Sequence, residues 1–254
     1  MRLLLWGDPR LSQPPAPLGQ QLPDDLLEHV YAAPKRWVRA NMVSTVDGSG
    51  VDAHGLTGGI NTPADHRVFG LLRALSDVVL IGAGTARTEG YSRIAVDLGW
   101  LSVRQAHGFT APPVLAVPTA SGELPDSLLS ATPDGSDVLV LVGPEAPAAA
   151  VAGLRRRLGS EWVVAASDRP MTPVGILAAL TDRGLTSVLL EGGPSLLHAV
   201  LDAGLLDELC LTWTPMLIGG PSGRILSGGS LLRTLTPTAL LEEEGTLLGR
   251  WSVD

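Results

Sequence analysis

Three short turns in the sequence carry the residue types that could bind a ligand and act on it. Each follows an apolar stretch typical of a buried strand: Thr45-Val46-Asp47-Gly48, Gly82-Ala83-Gly84-Thr85 and Glu191-Gly192-Gly193-Pro194-Ser195. Glycines allow a backbone to approach a ligand closely, and the free N–H groups at the start of a helix favour an anion such as a pyrophosphate. Together, the three turns predict one composite ligand site.

Single residues of these turns also have ordinary structural explanations. Glu191 either lies beside the ligand, where it accepts a hydrogen bond from an amine or amide, or sits at the surface of a common strand–helix turn. Asp47 precedes a glycine, and Asp-Gly is common turn chemistry. Arg73, within the helical pattern GLLRAL, either clamps a phosphate or carboxylate in bidentate fashion or is a solvated helix residue.

Chemistry that needs a protein nucleophile or a metal ion has no motif in this sequence. The hydrolase motif G-x-S-x-G and the P-loop motif are absent. Cys210 is the only cysteine, which excludes an internal disulfide and a multi-cysteine zinc site. No metal is assigned, because metal-ligand spacing is missing among the histidines: His29, His54, His66, His107 and His198. Glycine turns without a nucleophile fit hydride transfer, in which a bound cofactor carries the chemistry.

The overall charge and hydropathy limit the partners of the protein. A formal net charge of −8 argues against a nucleic acid or an acidic membrane surface as partner. No segment approaches the roughly 18 apolar residues of a membrane span, and the apolar run at the N-terminus is shorter than the core of a signal peptide. We therefore expect a cytoplasmic protein with a small-molecule ligand.

Apolar stretches alternate with helical patterns along most of the chain, which predicts an α/β fold with a largely parallel central sheet flanked by helices. Residues 1–35 are interpreted as an N-terminal extension packed on a single domain of residues 36–254. A strand followed by a loop is predicted in 37–48. Further strands are predicted in 77–82, 112–119, 137–143, 161–167, 186–193 and 207–220, with C-terminal antiparallel strands in 238–254. Helices are predicted in 62–75, 147–158, 172–184 and 194–205, and a long loop in 86–111. Ligands of such sheets bind outside the carboxyl ends of the strands, where the three turns are expected.

Four segments, in order and at suitable spacing, resemble one family: NMVSTVDG, LLRALSDVVLIGAGTARTEGY, LLEGGPSLLHAVLDAGLLDEL and TPMLIGG. The family is the reductase of bacterial riboflavin biosynthesis, the C-terminal domain type of the bifunctional deaminase–reductase. The resemblance spans roughly residues 36–250 and implies a dihydrofolate-reductase-like fold. The deaminase half has no counterpart here, so a stand-alone reductase is expected.

The resemblance also implies a reaction and a set of site residues. The implied reaction is an NADPH-dependent hydride transfer to C1′ of a ring-opened 5-amino-6-(ribosylamino)uracil phosphate, which gives the ribityl product, in a homodimeric enzyme. Asp47 and Glu191 are the implied catalytic residues, and the substrate is bound by Thr57, Arg73 and Glu191, with Arg73 on the phosphate. The implied cofactor-binding residues are Val43, Ser44, Gly59, Ala83, Gly84, Thr85, Glu89, Gly192, Gly193, Pro194, Ser195 and Leu196.

Some features leave the cofactor and the substrate open. Many relatives place an arginine after the third strand of the family pattern, where it could read the 2′-phosphate of NADPH, but this chain has Thr119-Ala120-Ser121 there. Arg93 and Arg104 are the basic residues considered instead, so NADH stays possible beside NADPH. The segment 92–110 fits the family poorly. A dihydrofolate reductase and a non-catalytic nucleotide-binding relative are therefore kept as alternatives.

Overall fold

The computed structural model describes residues 1–10, 13–130, 138–165 and 171–254. Its strands are β1 (Arg2–Trp6), β2 (Trp37–Thr45), β3 (Val78–Leu80), β4 (Val114–Thr119), β5 (Val138–Val142), β6 (Val163–Ala165), β7 (Ser187–Leu190), β8 (Glu208–Thr214), β9 (Leu235–Glu243) and β10 (Thr246–Val253). Its helices are α1 (Asp24–Tyr31), α2 (Pro63–Ala74), α3 (Ala83–Thr88), α4 (Leu101–Ala106), α5 (Asp126–Leu129), α6 (Ala148–Leu158), α7 (Pro173–Thr181) and α8 (Pro194–Asp202), with 3-10 turns at Leu98–Trp100 and Ser160–Trp162.

One sheet contains all of these strands, in the order β1-β9-β10-β8-β2-β7-β3-β4-β5-β6. The strands from β8 to β6 in this order run parallel to one another. At the other end, β10, β9 and β1 are added in antiparallel fashion. The predicted fold class is confirmed, because an α/β sheet with a parallel centre and C-terminal antiparallel strands is observed.

Apolar cores lie on both faces of the sheet. Alternate side chains of a strand point to opposite faces, and in β3 the side chain of Val79 joins one core while those of Val78 and Leu80 join the other. Helix α2 contributes Val68, Leu71 and Leu72 to the first core. Helices α7 and α8 contribute Ile176, Leu180 and Leu197 to the second. Among the described helices, none is both long and apolar enough to cross a membrane.

The segment 86–111, predicted to be a long loop, contains the end of α3, a 3-10 turn and α4. The reason is a tertiary contact that no local pattern reveals. Arg104 of α4 is buried, and its guanidinium donates hydrogen bonds to the carbonyl oxygens of Arg73, Ala74 and Ser76 at 2.8–3.3 Å. It thereby attaches α4 to the C-terminal end of α2 and to the residues just after it, where the last carbonyl oxygens of a helix lack intrahelical donors.

Three other boundaries differ from the sequence-based expectation. The strand predicted in 207–220 ends at Thr214, because Pro215 has no N–H to donate to the ladder. The strand predicted in 161–167 is observed as β6, and residues 166 and 167 lie outside the described ranges. Residues 2–6, predicted as part of an extension, form β1, which pairs with β9 at the edge of the sheet.

A buried group of charged side chains connects the N-terminal segment to the sheet. Glu208 of β8 accepts hydrogen bonds from Arg39 of β2 and from Arg250 of β10, and all three side chains are at most 6% exposed. Arg250 also pairs with Asp8, which follows β1, and donates to the carbonyl of Val30 in α1. Burial alone raises the pKa of Glu208, but the two arginines outweigh it and hold that pKa well below its ordinary value.

We predict that Glu208→Gln lowers the free energy of unfolding by about 3 kcal/mol at neutral pH, because it leaves buried guanidinium groups without their charge partner. Since the folded-state pKa of Glu208 is depressed, its contribution is present above the unfolded-state pKa, about 4.3, and is lost as the pH falls below it. Urea unfolding followed by circular dichroism at neutral and acidic pH measures both effects.

The variant should therefore show a weaker decrease in stability on acidification than the wild type. Glu145→Gln, at an exposed position, is the matched control and should behave like the wild type. Equal acid sensitivity of Glu208→Gln and the wild type would contradict the assignment of this pKa shift.

Candidate active site

A cavity of about 560 Å³ lies at the carboxyl ends of β2, β7, β3 and β4. These four strands are neighbours in the sheet and run parallel, so the loops that follow them leave at the same edge. The ends of these strands and the loops after them contribute residues to the cavity wall. These residues include Gly50, Val51, Gly82, Gly84, Thr85, Thr119, Ala120 and residues 191–196. The volume is typical of a cavity that takes a small-molecule ligand or a cofactor.

The turn between β7 and α8 depends on its two glycines. Gly192 and Gly193 have φ values of 133° and 84°, a region that side-chain-bearing L residues rarely adopt. A Cβ atom at Gly193 would lie 3.4 Å from the Thr85 hydroxyl, and the N–H of Gly82 donates to the carbonyl of Gly192 at 3.2 Å. The second and third predicted turns are thus in direct backbone contact, which is what a composite site requires.

Glu191 is fixed at the wall of this cavity by three donors. Its side chain is 0% exposed and accepts hydrogen bonds from Nε and Nη2 of Arg73, both at 2.6 Å. The hydroxyl of Tyr91 donates to the same carboxylate at 2.9 Å. Burial and the neighbouring Glu191 charge raise the pKa of Tyr91 well above its ordinary value, so the phenol stays protonated and remains a donor.

Arg73, for which the resemblance implies a role on the substrate phosphate, is paired with Glu191. It does not line the cavity, and the bidentate pair with Glu191 uses one edge of its guanidinium. The guanidinium carbon stands 4.1 Å from the centroid of the Phe69 ring, which helps to hold its plane. Arg73 therefore orients and neutralises Glu191.

Thr57 and Glu89, predicted on the substrate and cofactor sides, are brought together. Both line the cavity, and Glu89 accepts from the N–H and from the hydroxyl of Thr57, each at 3.1 Å. Because Glu89 follows α3 and Thr57 lies in the loop after β2, this contact closes one side of the cavity.

Besides Arg73, five predicted site residues do not line the cavity: Val43, Ser44, Asp47, Gly59 and Ala83. The carboxylate of Asp47 accepts from the Thr45 hydroxyl and from the N–H groups of Ile218 and Gly219, at 3.2 and 2.7 Å to Oδ2. The hydrogen bond from Thr45, followed by the one from Gly219, lowers the pKa of Asp47. Asp47 thus joins the loop after β2 to the loop after β8.

The other four residues outside the cavity lining, Val43, Ser44, Gly59 and Ala83, lie within packed elements or border a second cavity. A Cβ at Gly59 would lie 2.1 Å from Oδ2 and 2.7 Å from Cβ of Asp52, so a side chain there would displace Asp52. Ser44 is buried and lines an adjoining cavity of about 460 Å³. Ala83 is the first residue of α3 and Val43 is half-buried within β2.

Tyr91 and Arg224 belong to the site and were missed in the sequence. Tyr91 is the last residue of the family-like segment LLRALSDVVLIGAGTARTEGY, but nothing in its local pattern indicates a contact with Glu191. Arg224 lines the cavity from the loop after β8. The sequence does contain a pattern that indicates Arg224 as a site residue. Arg224 lies in GGPSGRI, a glycine- and proline-rich stretch that, like the three predicted turns, follows a strand pattern. Within the described ranges, no group of three or more His, Cys, Asp or Glu side chains is arranged to hold a metal ion.

We predict that Arg73→Met lowers the free energy of unfolding by about 3 kcal/mol, because it leaves the buried Glu191 charge without its partner. Combining it with Glu191→Gln should cost clearly less than the sum of the two single changes. Chemical denaturation of the wild type, both single variants and the double variant measures this coupling. Arg156→Met, at an exposed position of α6, is the control; additive losses would contradict a direct pair.

Comparison with known proteins agrees with this architecture. A pyrimidine reductase-like protein from Corynebacterium diphtheriae superimposes with a TM-score of 0.71 at 24% identity, over 89% of this chain and 98% of that one. A 2,5-diamino-6-ribosylamino-4(3H)-pyrimidinone 5′-phosphate reductase from Methanothermobacter thermautotrophicus is 29% identical over 206 residues, 81% of this chain and 90% of the relative.

Longer relatives match as well. The riboflavin biosynthesis protein RibD from Mycobacterium tuberculosis is 28% identical over 208 residues, 77% of this chain but 50% of the relative, so the match spans about half of that protein. The family model of the RibD C-terminal domain matches residues 36–246. The chain therefore belongs to the RibD C-terminal domain family and has its dihydrofolate-reductase-like fold.

Proposed function

We propose that the protein is a pyrimidine reductase of riboflavin biosynthesis that uses NADPH. The reaction delivers a hydride to C1′ of the ring-opened 5-amino-6-(ribosylamino)uracil phosphate and a proton to the adjacent nitrogen, which yields the ribityl amine. The observation that carries the proposal is that Glu191, whose buried carboxylate is held by Arg73, lines a ligand-sized cavity directly before the Gly192-Gly193 turn. The name of the relative from Methanothermobacter thermautotrophicus supports the same reaction class, and the name of the relative from Mycobacterium tuberculosis supports a role in riboflavin biosynthesis.

At the substrate end, Glu191 accepts a hydrogen bond from an N–H group of the pyrimidine. Arg73 and Tyr91 hold the carboxylate in one orientation, so little rotamer entropy is lost when the substrate binds. Thr57, held by Glu89, contributes to the wall beside the substrate. Asp47 lies in the loop after β2 that also contains Thr57, and its carboxylate already accepts three hydrogen bonds. We therefore assign Asp47 a positioning role.

At the cofactor end, the chain provides a diphosphate turn and an apolar wall. Gly192 and Gly193 allow close approach of the backbone, and α8 begins there without a side-chain cap, which suits a diphosphate. Pro118, Met171 and Ile176 form an apolar part of the cavity wall, suited to the adenine ring. When bound, the nicotinamide cofactor supplies the hydride.

The direct test is oxidation of NADPH by the purified protein. We expect turnover with the uracil phosphate, and the 2,5-diamino pyrimidinone phosphate is assayed beside it because an archaeal relative is named for that compound. A comparable rate with dihydrofolate would favour the alternative of a dihydrofolate reductase. Cofactor binding without turnover on any of these substrates would favour a non-catalytic relative.

We predict that Glu191→Gln lowers kcat/KM for the pyrimidine roughly 10- to 100-fold, since a charge-assisted hydrogen bond to the substrate is lost. The dissociation constant of NADPH should change much less. Steady-state kinetics and cofactor fluorescence measure the two effects, with Glu145→Gln as the control. An unchanged kcat/KM would remove Glu191 from the substrate site.

The choice of NADPH depends on an arginine that can reach the 2′-phosphate. Arg104, considered from the sequence, caps α2 and is buried. Arg87, in the last turn of α3, lies over the turn after β4, with Nη1 3.5 Å from the carbonyl oxygen of Glu123. Thr119 and Ala120 of that turn line the cavity, so we assign the recognition of the 2′-phosphate to Arg87.

We predict that Arg87→Gln raises KM for NADPH about tenfold, as expected for loss of a charge-assisted hydrogen bond, and leaves KM for NADH unchanged. The ratio of kcat/KM for the two cofactors is the readout, and Arg156→Gln controls for the change in net charge. If both cofactors are affected equally, Arg87 does not read the 2′-phosphate.

A further inference from the structure

The charged side chains that line the main cavity are Glu89, Glu191 and Arg224. Two of these three already have partners, because Glu89 accepts from Thr57 and Glu191 accepts from Arg73 and Tyr91. Arg224 is exposed, and in the described ranges no carboxylate pairs with it. The cavity of an acidic protein, with a net charge of −8, therefore contains one uncommitted cation among its described lining residues.

The backbone around Arg224 is held in place from two sides. The N–H of Gly50, in the loop after β2, donates to the carbonyl of Gly223 at 2.7 Å. A Cβ at Gly50 would lie 3.3 Å from the carbonyl carbon of Arg224, so a side chain there would press on this backbone. On the other side, the N–H of Ser227 donates to the carbonyl of Pro194 at 3.2 Å. The loop of residues 223–227 is thus attached to both the β2 loop and the start of α8.

We propose that Arg224 binds the diphosphate of the dinucleotide cofactor and neutralises part of its charge. This inference rests on the proposed function, because it assumes that the cofactor occupies the Gly192-Gly193 turn. A diphosphate carries two negative charges, while backbone N–H groups at a helix start offer only a partial positive charge. A guanidinium matches phosphate oxygens in bidentate geometry. The attachment of the Arg224 loop at Pro194 brings this loop to the helix that begins at this turn, and Arg224 lines the same cavity as Gly192 and Gly193.

The experiment compares Arg224→Gln with the wild type in equilibrium titrations with NADPH, NADH and reduced nicotinamide mononucleotide, which has no diphosphate. We expect the Kd of NADPH and of NADH to rise by the same factor, about tenfold, and the Kd of the mononucleotide to rise clearly less. The binding of both dinucleotides should also become less sensitive to salt. Arg156→Gln removes the same charge from an exposed site outside the cavity and should bind all three like the wild type.

Each other outcome overturns the inference. Weaker binding of NADPH alone would assign Arg224 to the 2′-phosphate, and a higher KM for the pyrimidine phosphate alone would assign it to the substrate. Unchanged binding of every ligand would leave Arg224 without a role in the site. A thermal melt of Arg224→Gln checks that the variant is folded. Arg224→Lys, which keeps the positive charge but not the bidentate guanidinium, should recover part of the affinity for both dinucleotides.

Failure of this inference can be told apart from failure of the proposed function. If Arg224→Gln binds both dinucleotides normally while the wild type reduces the pyrimidine, only the role of Arg224 is wrong. If the wild type binds NADPH and the variant loses affinity for both dinucleotides, but no pyrimidine is reduced, the role of Arg224 stands and the proposed reaction falls.

Discussion

The shared direction of the parallel strands is the constraint on which the candidate site depends. Since β2, β7, β3 and β4 are neighbours and point the same way, their following loops meet at one edge, whatever their distance along the chain. The insertion of β7 between β2 and β3 then sets Glu191 and its two glycines against Gly82. Turns that are each weak signals in the sequence become the walls of one cavity for this reason.

Two buried carboxylates are each paired with arginine but have different roles in the structure. Glu208 and Glu191 both have side chains at most 2% exposed, and arginines compensate both charges. Glu208 is enclosed by strands and ties the N-terminal segment to the sheet. Glu191 is one of the residues that line the cavity, and the orientation of its buried carboxylate is determined by Arg73 and Tyr91. A carboxylate held in this way is a pre-organised acceptor, and the cost of its burial falls on folding rather than on binding.

The range matched by the family model is shorter than the single sheet that the structure shows. The matched range, residues 36–246, begins just before β2 and ends at the first residue of β10. Both β1 and α1 precede it, yet β1 extends the same sheet through β9, and Asp8 contacts Arg250 in the buried charged group. The sheet of this chain therefore extends beyond the matched range, and the attachment of β1 uses ion pairs as well as apolar packing.

Sequence patterns alone determined the fold class, most strands and helices and the three ligand-ready turns, because periodicity and turn chemistry are local properties. The partner of Arg73 is Glu191, 118 residues away, and only the insertion of β7 brings the two together. The same holds for Tyr91, for Arg87 beside the turn after β4 and for Arg104 at the end of α2. Arginine and tyrosine side chains are long and reach across elements, so their residue type says what they can bind, whereas the tertiary structure decides what they meet.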